Sequence, residues 1–238
     1  MALSPKFTHS GFHYWVIFID DHTRLWAVYL MRFKSQTFAC FKQFKAYAEN
    51  HFRAKLGTLR EDKGGEYMSK EFEEFCILHG IQRQHTVRNR PQQNGVAERA
   101  NRVLSEGITT MLNESGLPRQ FWGEALSSFV HVRNRCPTSS IKGATPYELW
   151  HQKKPDVSHL RIWGCTAYVH VQKDKRDQLG SHMEKCVFIG YPAGYKGWKF
   201  WNPVTKRTII SERAEFDECY FPLSKRPISP QPALLPHS

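Results

Sequence analysis

Two carboxylates, Asp62 and Glu98, stand in the stretches of this chain whose residue types could do chemistry. Asp62 belongs to Leu59-Arg60-Glu61-Asp62-Lys63-Gly64-Gly65-Glu66-Tyr67. Strand-forming residues (Lys55, Leu56, Thr58, Leu59) lead there onto a Gly-Gly turn, where a carboxylate projects past no bulky neighbour. Glu98 belongs to Pro91-Gln92-Gln93-Asn94-Gly95-Val96-Ala97-Glu98-Arg99. Pro91 and the Asn94-Gly95 pair read as breaking any regular structure. Val96, Ala100, Val103, Leu104, Met111 and Leu112 then recur at helical spacing, with Glu98 off the stripe and outward. The two acids lie 98 − 62 = 36 positions apart. A carboxylate at a strand end and another in a first helical turn suit shared ligation of a hard divalent cation, which wants oxygen ligands in fixed geometry. Taken singly, each has a plainer reading: an Asp before Gly-Gly forms a turn, and an outward Glu is a solvated helix face.

The elements that must hold these acids are legible around them. Phe12–Asp20 and Trp26–Leu30 are aromatic and β-branched and read as a hairpin. Asp20 and Asp21, at its turn, could add a further carboxylate to such a site or, more plainly, accept turn amides. Ser35 to Phe52 reads as a helix capped by Ser35, with Phe38, Phe41, Phe44, Ala48 and Phe52 along one face. Ser69 to His79 is a shorter helix capped by Ser69, and Ile81–Val87 alternates as a strand. The segment Arg88 to Asn94 is a basic, amide-rich loop. Its Arg88, Arg90, Gln92, Gln93 and Asn94 suit phosphate or base-edge contacts, or simply a solvated loop. From Glu98 the helix runs to about Ser115, with Arg99 and Arg102 on the polar side, placed to follow a nucleic-acid backbone or to face water. Arg119–Asn134 and Thr145–Trp150 are further helices. Beyond residue 160 the period changes to short strands at 163–171, 186–191, 197–201 and 208–211, a small all-β unit. Residues 221–238 are Pro-rich and expected to be disordered.

Composition narrows the partner. With 34 Lys+Arg against 22 Asp+Glu, the 238-residue chain carries a formal charge of +12 and a pI near 9.5, which favours a polyanion. No apolar run approaches the roughly 20 residues that span a bilayer, and no secretory signal opens the chain, so an intracellular protein without membrane contact is expected. The six cysteines show no CxxC or other zinc spacing and read as reduced, mostly buried thiols, with no structural zinc.

The motifs together resemble the integrase core of copia-type LTR retrotransposons, of the retroviral integrase and DDE-transposase group. The resemblance is carried by residues 14–24, by Asp62-Lys63-Gly64-Gly65-Glu66-Tyr67, by Pro91 to Arg99 and by Phe121-Trp122-Gly123-Glu124-Ala125. Arg133-Asn134-Arg135-Cys136-Pro137 and Thr145-Pro146-Tyr147-Glu148-Leu149-Trp150 extend it, so that it covers about residues 11 to 218. It implies an α/β fold: a ribonuclease H-like mixed sheet flanked by helices over residues 11–150, with its first strand missing. A linker (151–159) and an SH3-like barrel (160–220) would follow an irregular lead-in at residues 1–10. It also implies DNA as partner, a homo-oligomer, a nuclear location, and two Mg²⁺ or Mn²⁺ ions with Asp62 and Glu98 as two of three catalytic, metal-binding carboxylates. The third would lie on the missing strand, so the chain reads as N-terminally truncated and inactive or nearly so. Lys63, where the family commonly has Asn, places a cation beside the metals or supplies a phosphate contact. Two other readings stand beside this one: a non-catalytic nucleic-acid-binding remnant, and a ribonuclease H-type nuclease.

Overall fold

The structure, a computed structural model, describes residues 8, 10–61, 69–85, 91–171 and 181–224, with only the backbone described for 91–94. The chain divides into two compact units, Met1–Thr109 with Arg119–Leu160, and Thr110–Pro118 with Arg161–Ser238.

In the first unit β1 (Tyr14–Ile19) and β2 (Trp26–Met31) pair antiparallel, from Tyr14 opposite Met31 to Ile19 opposite Trp26. Their turn consumes both nearby acids. Asp20 Oδ2 accepts from the Thr23 amide and hydroxyl, each at 2.7 Å, and Asp21 Oδ1 accepts from Arg24 Nη1 at 2.6 Å. Arg24 itself adopts a left-handed φ of 59°. On β2's outer edge, next to the turn, Asn134 Oδ1 accepts from Trp26 N (3.0 Å) while Asn134 Nδ2 donates to Trp26 O (2.8 Å). Helix α1 (Thr37–Phe52) lays Phe41 and Phe44 on this hairpin, with the Phe18 and Phe44 rings stacked at 5.1 Å. It starts at Thr37 and Ser35 does not cap it, because Ser35 lies inside a short 3-10 turn (Lys34–Gln36) whose Gln36 Oε1 reaches back to accept the Arg32 and Phe33 amides at 2.7 and 3.1 Å.

β3 (Thr58–Glu61) pairs parallel with β4 (Gln82–His85), Thr58 opposite Gln82 and Glu61 opposite His85. The crossover is α2 (Lys70–Leu78), capped by Ser69 Oγ accepting from Phe72 N at 3.2 Å, as its sequence predicts. Phe72 and Cys76 bury α2 against Phe41, and Trp150 of α5 (Pro146–His151) closes the same core, stacked on Tyr47 at 5.6 Å. Antiparallel and parallel pairing are thus both present, but among the described residues they belong to two separate two-stranded sheets.

Helix α3 runs from Pro91 to Ser115. This corrects the reading of 91–94 as loop. Proline fits the first helical position because its missing N–H has no intrahelical partner there. The cost of Asn94 and Gly95 inside the helix, about 1 kcal/mol for the glycine, is offset by burial of Ala100, Leu104 and Ile108. Helix α4 (Trp122–Arg133) packs Trp122 on Trp15 at 5.4 Å.

The second unit is a five-stranded antiparallel sheet of β5 (Thr166–His170), β6 (Met183–Gly190), β7 (Trp198–Asn202), β8 (Arg207–Ser211) and β9 (Ala214–Asp217), in the order β8-β7-β6-β5-β9. Cys165, Ala167, Val169, Cys186, Phe188 and Phe200 form its core. Trp201 is buried and Trp198 packs edge-on against Phe216, so both indoles serve packing. Burial pushes the Cys165 and Cys186 thiols up to about 12, which leaves them as inert apolar groups. All six cysteines are free, with Cys136 and Cys219 exposed. Among the described residues no helix is long and apolar enough to cross a membrane.

Candidate metal and nucleic-acid site

The first unit holds a cavity of ≈ 570 Å³ between the two small sheets. One wall is the edge of β1 from Trp15 to Ile19 with Asp20 and Asp21 beyond it; the opposite wall is β3 from Thr58 to Glu61. Helix α3 supplies a third wall through Val96, Ala97, Glu98 and Asn101. Glu98 is exposed, and Val96, expected in the buried stripe, is 50% exposed because it faces this cavity instead of the core.

Four carboxylates therefore line the space, and three have charged or turn partners. Asp20 and Asp21 are engaged in the hairpin turn. Glu61 is buried, with its side chain 2% exposed; Arg83 donates to its Oε1 from Nε at 2.7 Å and also from Nη2, and His85 Nδ1 lies 3.5 Å away. The Arg83 guanidinium in turn lies over the Phe72 ring at 5.3 Å. Glu61 is thus the anchor of the β3 end, the residue immediately before Asp62. Glu98 forms no ion pair among the described residues and is the carboxylate of the four open to a cation.

Of the site residues expected from sequence, Glu98, Arg99 and Arg102 are placed on α3, all exposed. Asp62, Lys63, Arg88 and Arg90 lie outside the described residues, and of Gln92, Gln93 and Asn94 only the helical backbone is described. A single carboxylate on a rigid helix has the hard oxygen donor that Mg²⁺ or Mn²⁺ takes. The described residues alone form no group of three or more His, Cys, Asp or Glu able to hold a metal. The Glu61–Arg83 pair was not anticipated. Its signal was available in principle, since Arg83 and His85 share one face of an alternating strand, but only the parallel register puts that face beside Glu61.

Comparison with known proteins bears on both units. The family described as "Retroviral polymerase SH3-like domain" matches residues 165–229. The retrovirus-related Pol polyprotein from transposon TNT 1-94 of Nicotiana tabacum is 42% identical over 209 residues, 88% of this chain and 16% of that protein. The Pol polyprotein from transposon RE1 of Arabidopsis thaliana is 32% identical over 221 residues, 93% of this chain and 15% of that protein. The chain therefore spans about a sixth of the length of these relatives. Among solved structures, a chain of the simian T-cell lymphotropic virus intasome in complex with PP2A regulatory subunit B56 gamma aligns over 97% of this chain and 78% of its own, with TM-score 0.50 and 16% identity, a likeness of fold. The fold is α/β, a ribonuclease H-like first unit followed by an SH3-like antiparallel β unit.

Proposed function

We propose, for a chain that belongs to the retrovirus-related Pol polyproteins of transposons, that it is their DNA-integrating core, a polynucleotidyl transferase in which Asp62 and Glu98 hold a divalent cation. The observation that carries this reading is that Glu98 and the β3 end leading into Asp62 line one cavity. The anchoring of that end by Glu61 and Arg83 supports it, because a ligand is useful only when its backbone is fixed. Bound Mg²⁺ or Mn²⁺ would activate the attacking oxygen and stabilise the leaving one in phosphodiester transfer. The chain's own residues orient and bind. Arg99 and Arg102, one turn and less beyond Glu98, are exposed on the same helix and meet DNA phosphates in this reading, to which Lys63, Arg88, Arg90, Gln92, Gln93 and Asn94 are assigned by their chemistry as further contacts. The +12 charge supplies long-range attraction. A homo-oligomer acting in the nucleus belongs to the same proposal.

Residues 1–238 assayed alone bring two carboxylates to the motif, fewer anionic ligands than a pair of divalent cations takes, so weak turnover at most is the expected result. The test is a disintegration assay on branched DNA with Mn²⁺. Trace joining that disappears in both Asp62→Asn and Glu98→Gln supports the reading; joining indifferent to both substitutions refutes it. A second reading, a non-catalytic DNA binder, rests on the +12 charge and on the exposed Arg99 and Arg102. It predicts DNA binding that persists in EDTA, falls steeply with salt and is never accompanied by strand joining.

A further inference from the structure

The loop that closes the β1–β2 hairpin ends on a residue that its backbone disfavours. Asp20 N donates to Leu25 O at 3.0 Å and Arg24 N donates to Asp20 O at 2.9 Å, so Arg24 completes the loop, with φ at 59°. Glycine takes that left-handed conformation freely, whereas a residue with a Cβ is strained in it. Strain of this kind persists where the side chain is needed. Arg24 lines the ≈ 570 Å³ cavity together with Glu98 and Asn101. Its guanidinium is held from one end: Nη1 donates to Oδ1 of the exposed Asp21 at 2.6 Å. Nε is buried and has no hydrogen-bond partner among the described residues. None of the four carboxylates lining the cavity accepts from it, since Asp20 is taken by Thr23, Asp21 by Nη1 and Glu61 by Arg83, while Glu98 forms no ion pair among the described residues. Asn101 Oδ1, on α3 one turn past Glu98, is a second buried atom of this cavity without a partner. A buried donor and a buried acceptor left unmet cost free energy until a polar occupant satisfies them.

We propose that Arg24 is a phosphate-binding residue of this cavity: Nε and Nη2 grip two oxygens of one phosphodiester group of bound DNA, while Asp21 steadies Nη1. In a planar guanidinium the Nε–H and one Nη2–H point the same way, so the edge that Asp21 leaves untouched is the one that matches two oxygens of a single oxyanion. Lysine, a point charge, offers no such fork. The identity of the ligand as DNA rests on the integrase reading. To Arg99 and Arg102, exposed on α3, Arg24 adds a phosphate contact inside the cavity itself.

The test is equilibrium binding of the full chain to branched DNA, followed by fluorescence anisotropy over a salt series in metal-free buffer. It is repeated with single methylphosphonate linkages, which carry no charge, placed one at a time around the branch. Arg24→Gly suits the backbone and removes the guanidinium, and Arg24→Asn does the same with a residue that also accepts a left-handed φ. Each should weaken binding about tenfold and lower the slope of log Kd against log salt by roughly one, the counterion release of a single phosphate. One methylphosphonate position should weaken the unaltered chain by a like factor and leave both variants unaffected. Arg24→Lys, with the charge but no fork, should fall between. The melting midpoint of Arg24→Gly without DNA should not drop, because an ion pair to an exposed aspartate contributes little. Unchanged affinity and slope in both variants overturn the proposal, and so does a loss coupled to no single phosphate. DNA binding that is indifferent to Arg24 leaves the integrase reading standing, whereas no DNA binding by the unaltered chain refutes both.

Discussion

Replacing Arg83 by methionine separates a structural role for the Glu61 pair from mere proximity. The Glu61 side chain is 2% exposed and Arg83 is 13% exposed, so the substitution leaves a carboxylate buried beside β3 without its guanidinium. Breaking one partner of a buried pair costs about 3–5 kcal/mol, a large share of the roughly 5–15 kcal/mol that holds a domain folded. His85, 3.5 Å from the same oxygen, is a second group placed to offset part of the loss. Glu61→Gln should cost less, about 1–3 kcal/mol, because the amide oxygen still accepts from Arg83, whose cation keeps the Phe72 ring face at 5.3 Å. The double variant Glu61→Leu/Arg83→Met removes both charges and keeps the volume apolar, so it should be more stable than Arg83→Met alone. Urea unfolding of the four proteins, with midpoints and slopes both fitted, measures this ordering. A cost below about 1 kcal/mol for Arg83→Met, or a double variant no more stable than Arg83→Met alone, would refute the assignment of Glu61 as the anchor of the strand end.

Two further outcomes follow from the same coordinates. Asn134→Ala strips both backbone groups of Trp26 of their partner in a buried place and should cost about 1–3 kcal/mol, read as a shifted unfolding midpoint; an unchanged midpoint would mean that water replaces the amide. His131 is held neutral by burial, with Arg135 and His159 adding to the effect, so its pKa falls from 6.5 to about 3. Between those values the unfolded chain binds a proton that the folded chain does not. Stability is therefore lost as pH drops below the unfolded value, by at most about 1.4 kcal/mol per pH unit. Thermal melts at pH 7.5 and 5 should show a smaller acid loss for His131→Gln than for the unaltered chain, and equal losses would contradict this origin.

Local signals made much of the fold legible. The aromatic, β-branched run before Asp20 gave the hairpin, and Ser69 and Thr145 each announced a helix, Thr145 Oγ1 accepting from Glu148 N at 3.0 Å. The start of α3 was misread because Pro91 and Asn94-Gly95 are breakers by local propensity, whereas Ala100, Leu104 and Ile108 anchor the helix by burial. β9 escaped notice because Ala214 and Phe216 are its only apolar residues; Phe216 owes its place to rings across the sheet, Phe188 at 5.7 Å and Trp198 at 5.1 Å. The division of the pairing into two small sheets could not be foreseen, since strand periodicity states which face is buried and not which edge is paired. Of the site, the sequence supplied Glu98 and the basic residues beyond it, while the buried Glu61–Arg83 anchor required the crossover geometry of α2.

The sharing of one cation by Asp62 and Glu98 is tested most directly by Mn²⁺ titration of the full chain, followed by electron paramagnetic resonance of the free ion. Asp62→Asn and Glu98→Gln should each weaken binding at least about tenfold, the ratio given by ~1.4 kcal/mol of lost attraction, with the melting midpoint in metal-free buffer unchanged. Mn²⁺ affinity that survives Glu98→Gln intact would contradict the account.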